Sequence, residues 1–163
     1  MLKDPPGKTL SNTNLLLCNN NRMNMFVTAW VGVLELSTGR LRASSAGHEY
    51  PAVYRAAEGK FELLQGRHGF VLGGMEDMNY REFEMKLEKG DRLFVYTDGV
   101  PEATNGKNEM FGTDRMIESL NRTGGANPKE TLDAVRADVD AFVGDAEQFD
   151  DLTMLCVEYK GAQ

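Results

Sequence analysis

The sequence predicts an α+β fold in which antiparallel sheets are flanked by helices. Strand-like segments come in pairs joined by short turns at residues 37–40 and 58–60, a pattern typical of hairpins. Two helical patterns follow these hairpins, and an apolar run at 152–159 ends the chain as a last strand. Hairpins that precede helices indicate antiparallel sheets with the helices on the outside, because parallel sheets need helices between successive strands.

The strands are predicted from β-branched and aromatic runs and from alternation of apolar and polar residues. They are residues 26–36, 41–45, 52–55, 61–65, 82–87 and 93–96. The last two are expected to be joined directly by the turn at 88–91. The glycine-rich segment 66–74 lacks the Lys-Ser/Thr of a phosphate-binding loop and is interpreted as a connection. A short helix near residues 10–17 is weakened by its asparagines.

The clearest helix begins after Asn127, with Pro128 at its first position and Glu130 placed to complete a capping box. Gly144 is predicted to end it. A preceding helix is expected to use Thr113 as its N-cap. The charged residues of the longer helix are interpreted as a solvated face.

The composition excludes several classes of protein. The chain has 163 residues, 41% of them hydrophobic, and a formal net charge of −7. This charge and the lack of a basic run argue against a nucleic-acid surface. The sequence carries no apolar stretch long enough for a membrane span and no signal peptide, so a cytoplasmic protein is expected. Cys18 and Cys156 give no disulfide framework.

Acidic residues stand where two predicted strands end and begin. Asp98 follows the strand 93–96, whereas Asp150 and Asp151 precede the last strand. If these strands are antiparallel neighbours, the acids converge at one sheet edge, where they repel unless a cation holds them. Oxygen ligands without nearby His or Cys suit Mg²⁺ or Mn²⁺. The alternative is that Asp98 only caps an Asp-Gly turn.

Four segments carry a resemblance to a known family: YTDGVPEA at 96–103, FDDLT at 149–153, AGHEYP at 46–51 and MFVTAWVGVLELSTG at 25–39. They resemble the SpoIIE-like branch of the PPM-type metal-dependent serine/threonine protein phosphatases. The resemblance implies a four-layer α-β-β-α sandwich. Two further acidic motifs of the family, a Gly-Asp-Tyr-like strand end and an Asp-x-x-Gly-His-Gly-like turn, do not occur here. Residues 1–163 are therefore expected to be a single domain, the N-terminally incomplete C-terminal part of such a phosphatase.

The resemblance also implies roles for particular residues. Asp98 and Asp150 match two metal ligands of the family. The resemblance also implies supporting residues around these two, which orient ligands or water or form hydrogen bonds beside the carboxylates. They are Asp151, Gly99, Thr97 and Thr153. His48 has two interpretations, since its ring either orients a phosphate or phosphorylated partner, or hydrogen-bonds to backbone at a strand crossing.

The implied activity is hydrolysis of phosphoserine or phosphothreonine by a water that two Mg²⁺ or Mn²⁺ ions activate. The implied substrate is a phosphorylated anti-sigma-factor antagonist of bacterial signal transduction. With two or three acids, this chain is expected to hold one weak metal site or none and to be weakly active or inactive alone. The alternative is a non-catalytic fragment or pseudophosphatase that acts as a protein-binding module. An incomplete sheet would also expose edges that favour self-association.

Overall fold

The structure is a computed structural model that describes residues 4–66, 69–147 and 150–162. Within these ranges it has three helices and seven strands, and no helix is long and apolar enough to cross a bilayer. In chain order the elements are α1 (Pro6–Asn20), β1 (Ala29–Glu35), β2 (Arg40–Ala46), β3 (Ala52–Arg55), β4 (Lys60–Leu63), β5 (Glu82–Lys86), β6 (Arg92–Tyr96), α2 (Gly112–Arg122), α3 (Pro128–Val143) and β7 (Met154–Glu158).

The elements form two compact units. The first comprises Met1–His48, Gln65–Leu87 and Gly161–Gln163, and the second comprises Glu49–Leu64 and Glu88–Lys160. The first contains an antiparallel sheet of order β1-β2-β5, and the second an antiparallel sheet of order β4-β3-β6-β7. Two antiparallel sheets and three helices confirm the predicted fold class.

In the first unit, α1 packs on β1 and β2, with Leu10 buried against Ala46, Leu72 and Tyr80. This helix is longer than the short one predicted. Its asparagines do not weaken it as expected, because the buried Asn14 side chain donates to the Met75 carbonyl at 2.8 Å and accepts from the Gly73 amide at 2.9 Å. These two bonds anchor the helix to the loop before β5.

The first predicted strand begins later than expected. Residues 26–28 lie outside β1, since Val27 instead exchanges two backbone hydrogen bonds with Leu72, at 3.0 and 2.8 Å. Part of the predicted connection 66–74, Arg67 and His68, lies outside the described residues.

The turn at 88–91 joins β5 to β6 as predicted. The two strands do not pair with each other, because β5 pairs with β2 whereas β6 pairs with β3 and β7. The turn between them is fixed by the buried Asp91 carboxylate. It accepts hydrogen bonds from the Glu88 amide at 3.1 Å, the Ala56 amide at 2.9 Å and the Arg55 guanidinium at 2.9 Å. These hydrogen bonds therefore hold the start of β6 beside the end of β3, in the same sheet.

In the second unit, α2 and α3 pack with the sheet around Phe94, whose side chain is fully buried. The α3 capping box is confirmed: Asn127 Oδ1 accepts from the Glu130 amide at 3.0 Å, and Glu130 Oε2 accepts from the Asn127 amide at 3.0 Å. The Thr113 cap is wrong, because α2 begins at Gly112 without a side-chain cap. Its start is set instead by the Gly112 amide, which donates to the Pro101 carbonyl at 2.8 Å.

Strand β7 lies at an edge of its sheet and exposes Leu155 and Val157, at 56% and 37% of their surface. An exposed strand edge with apolar side chains favours pairing between copies. We expect the apparent mass in static light scattering to rise between micromolar and millimolar concentrations. Leu155→Glu should reduce this rise, and the variant Leu16→Glu, at the most exposed leucine of α1, is its control. A strict monomer throughout the range would contradict the prediction.

Candidate functional site

The pairing of β6 with β7 brings the two acidic motifs to one edge of the sheet. The strands are antiparallel, and Tyr96 at the end of β6 stands opposite Met154 at the start of β7. One residue further, the Thr97 amide donates to the Thr153 carbonyl at 3.1 Å, and the Thr153 amide donates to Thr97 Oγ1 at 3.1 Å. The chain therefore leaves β6 toward Asp98 beside the point at which it enters β7.

The turn after β6 is held tightly against the segment before β7. Thr97 Oγ1 donates to the Asp151 carbonyl at 3.1 Å, and the Glu102 amide donates to the Asp98 carbonyl at 2.9 Å. Gly99 allows this approach, because a Cβ at this position would lie only 2.4 Å from the Asp151 carbonyl oxygen. Thr97 and Gly99 thus keep the segment that carries Asp98 in contact with the segment that carries Asp151.

The side chains of Asp98, Asp150 and Asp151 are all exposed. Among the described residues, the carboxylates of Asp98 and Asp151 make no hydrogen bond or ion pair. Asp150 Oδ1 accepts a hydrogen bond from the Asp151 amide at 2.7 Å, which turns this carboxylate toward its own backbone. Burial, and secondarily the charge of Glu49, raise the pKa of the Tyr96 phenol beneath the edge. Tyr96 therefore adds no negative charge to this edge at neutral pH.

The donor atoms at this edge are oxygens, which are the ligands that hard divalent cations prefer. Carboxylate oxygens without imidazole or thiolate suit Mg²⁺ or Mn²⁺, and exposed carboxylates leave room for the water ligands that Mg²⁺ keeps. In the ranges 4–66, 69–147 and 150–162, no group of three or more His, Cys, Asp or Glu side chains is arranged to hold a metal ion. The described residues of this edge thus present carboxylates of suitable chemistry, but they do not form a complete set of ligands.

His48 belongs to the first unit, whereas Asp98 and Asp150 belong to the second. Its Nδ1 lies 3.2 Å from Thr28 Oγ1, and its carbonyl accepts from Ser45 Oγ at 3.3 Å. These contacts hold His48 within its own unit, and both interpretations of its ring stay predictions. Phe149, the first residue of the FDDLT motif, lies outside the described residues.

Sequence reasoning missed a groove of about 280 Å³ that begins at this edge. Gly99 and Asp150 line it, together with the last turns of α3, including Arg136 and Asp140. Those α3 residues had been interpreted only as a solvated face. The sequence signal that could have indicated the groove is the position of acids on both sides of Gly144, where the helix ends and the chain turns toward β7.

The sequence of this chain is similar to a protein family and to two characterised proteins. The profile of the family "Stage II sporulation protein E (SpoIIE)" matches residues 1–160. Protein IcfG of Synechocystis sp. is 34% identical over 135 residues, which cover 83% of this chain and 21% of that protein. Phosphoserine phosphatase RsbU of Bacillus subtilis is 32% identical over 115 residues, covering 69% of this chain and 34% of RsbU. The chain thus spans about a fifth to a third of these relatives.

The fold is also shared with solved structures. The SiaA-PP2C domain of Pseudomonas aeruginosa superposes with a TM-score of 0.81 at 20% sequence identity. The match covers 94% of this chain and 61% of the SiaA chain. At this identity the likeness shows the fold, which is that of PP2C phosphatase domains.

Proposed function

The chain belongs to the SpoIIE family of PPM-type phosphatases, and on this basis we propose that it is the C-terminal part of a metal-dependent protein serine/threonine phosphatase. The observation that carries the proposal is the β6–β7 register, which brings Asp98 and Asp150 to one sheet edge through the hydrogen bonds between Thr97 and Thr153. The proposed reaction is hydrolysis of phosphoserine or phosphothreonine on a regulatory protein.

Each residue of the edge has a distinct task in this proposal. Asp98 and Asp150 would hold Mg²⁺ or Mn²⁺, which when bound supplies Lewis acidity for water activation and charge stabilisation at phosphorus. Asp151 orients water or a ligand beside them. Thr97 and Gly99 keep the two acidic segments in register, since one donates to the Asp151 carbonyl and the other leaves space for it.

A thermal shift tests the assignment of Asp98. A ligand at ten times its Kd stabilises the folded state by about 1.4 kcal/mol, so Mn²⁺ at that excess should raise the Tm of the wild type by about 3–5 °C. We expect Asp98→Asn to abolish this rise and to stabilise the metal-free protein slightly, because the mutual repulsion of the acids falls. Melting curves with and without millimolar Mn²⁺ measure both effects.

The control for this comparison is Asp133→Asn, a matched change on the exposed face of α3, where Asp133 pairs with Lys129. It should respond to Mn²⁺ as the wild type does. If Asp98→Asn keeps the full metal response, Asp98 is a turn residue and the proposed metal site is refuted.

The 163-residue chain alone is expected to show little or no phosphatase activity, since the two upstream acidic motifs of the family do not occur in its sequence. The measurement is turnover of para-nitrophenyl phosphate and of a phosphoserine peptide in millimolar Mn²⁺. Turnover comparable to that of RsbU, abolished by a chelator, would show instead that the acids of this chain suffice.

For the complete phosphatase we propose a phosphorylated protein of the anti-sigma-factor antagonist type as substrate, in bacterial signal transduction. The support is the similarity to RsbU, which is named a phosphoserine phosphatase. Dephosphorylation of such a protein by the longer phosphatase, followed by mass spectrometry, would test this substrate directly.

A further inference from the structure

The groove beside the acidic edge lies within the second unit, between the turn after β6 and the last turns of α3. Its volume of about 280 Å³ is near the lower limit for ligand pockets, which suits one or two side chains rather than a large molecule. Its apolar lining consists of Ala103, Val139, Val143, Ala146 and Leu152. This lining can cover the aliphatic part of an inserted side chain.

The polar lining of the groove is acidic. Among the described residues that line it, the carboxylates belong to Glu102, Asp140, Glu147 and Asp150, and the only cation is Arg136. Arg136 is already engaged, because its Nε donates to both carboxylate oxygens of Asp140, at 2.8 and 2.9 Å. By contrast, Glu102 and Glu147 make no side-chain hydrogen bond or ion pair with any other described residue. Glu102 and Glu147 therefore give the groove negative charge that no ion pair within the described chain neutralises.

An apolar lining combined with unpaired carboxylates complements one kind of side chain. Lysine and arginine bury an aliphatic stem and keep a cationic head at a polar rim. A glutamate or aspartate in the same place would meet like charge, which disfavours binding. Since Gly99 and Asp150 line the groove, a side chain in it would lie next to the edge at which we place the phosphate chemistry.

We propose that this groove binds a lysine or arginine of the protein substrate that lies close to the phosphoserine. The link to phosphoserine rests on the proposed phosphatase function, whereas the preference for a basic side chain rests on the groove alone. The substrate class is thus a phosphoserine segment with a basic flank, and acidic flanks are selected against.

The test uses short synthetic peptides that are identical except for flanking Lys, Gln or Glu, each with phosphoserine and with unmodified serine. Binding to the isotope-labelled chain is followed by amide chemical shifts, at low salt and without metal. An exposed ion pair contributes about 0.2–1 kcal/mol, so two such pairs should make the Lys peptide about 2- to 30-fold tighter than the Gln peptide. The Glu peptide should bind most weakly, and the shifts should map to Glu102, Thr104, Val143 and Ala146.

Glu102→Gln and Glu147→Gln should each weaken the Lys peptide by up to about 5-fold and leave the Gln peptide unchanged. Glu118→Gln is the matched control, because Glu118 is exposed on α2 and does not line the groove. The amide spectrum of each variant also reports whether it is folded. Equal affinity for the three flanks, or Glu102 and Glu147 variants that behave like Glu118→Gln, would overturn the proposal.

The same peptides separate this inference from the proposed function. With Mn²⁺ present, the phosphoserine peptide should bind more tightly than the serine peptide. If Asp98→Asn removes this difference, the metal site is supported. If the phosphate adds nothing in Mn²⁺, the metal assignment fails. Whatever the result with Mn²⁺, tighter binding of the Lys peptide in metal-free buffer supports the proposal that the groove binds a basic side chain. Equal binding of the Lys and Gln peptides in metal-free buffer refutes it.

Discussion

Gly99→Ala is expected to lower the free energy of unfolding by about 2–3 kcal/mol and to remove the response of the Tm to Mn²⁺. The added Cβ would lie 2.4 Å from the Asp151 carbonyl oxygen and 2.9 Å from its carbon. Backbone atoms cannot move away as a flexible side chain can, so either the turn or the segment before β7 must shift. Overpacking of this kind costs about 1–3 kcal/mol. The shift would also separate the segments that carry Asp98 and Asp151.

Urea denaturation followed by circular dichroism measures the loss of stability. The matched control is Gly106→Ala, because a Cβ at Gly106 meets no atom within 4 Å. That change should alter stability by less than about 1 kcal/mol, and in the stabilising direction, since it restricts the unfolded chain. If the two variants have the same stability, the close approach at Gly99 is not a constraint on the edge.

Much of the second unit could be predicted because its signals are local. The α3 capping box needs only Asn127 and Glu130, three residues apart, and the structure forms it. Likewise, β6 and β7 are apolar runs whose acidic ends are visible in the sequence. Their antiparallel pairing is what turns those ends into a shared edge.

The errors arose where contacts distant in sequence decide the structure. The sequence does not indicate which sheet β6 joins, because Asp91 before this strand binds the Arg55 side chain 36 residues away. The length of α1 depends on Asn14, whose partners in the loop lie 59 and 61 residues further along the chain. Helix propensity does not account for such bonds. Asparagine disfavours a helix when its side chain competes for the backbone of that helix, and Asn14 binds the loop instead.

The groove was missed for a related reason. On α3, Arg136 and Asp140 have the four-residue spacing of a solvated ion pair, and they do form one. Only the fold shows that the same residues stand opposite the turn after β6. A charged helix face and a wall of a binding site can share one sequence pattern, and tertiary structure distinguishes them.

The connection between α2 and α3 depends on a buried arginine that has no carboxylate partner in the described part of the chain. Arg92, 3% exposed, donates to the carbonyls of Ala126 and Gly124 and to Thr131 Oγ1. Its guanidinium carbon lies 3.9 Å from the centroid of the Tyr54 ring. The side chain thus joins β6 to the loop that leads into α3, and a planar group with several donors is needed to reach all three acceptors.

Arg92→Met is therefore expected to lower the free energy of unfolding by about 3–5 kcal/mol. Methionine can fill much of the space, but it removes the donor of the buried Thr131 hydroxyl and of two half-buried carbonyls. An acceptor left unpaired in the interior costs about 1–3 kcal/mol. Arg92→Lys should recover only part of the loss, because one ammonium cannot serve acceptors that the guanidinium reaches with two nitrogens. Urea denaturation compares both variants with Arg136→Met, whose exposed ion pair is worth at most about 1 kcal/mol. If Arg92→Met is as stable as Arg136→Met, water replaces the guanidinium, and the loop into α3 is held by its own capping box and by Thr131.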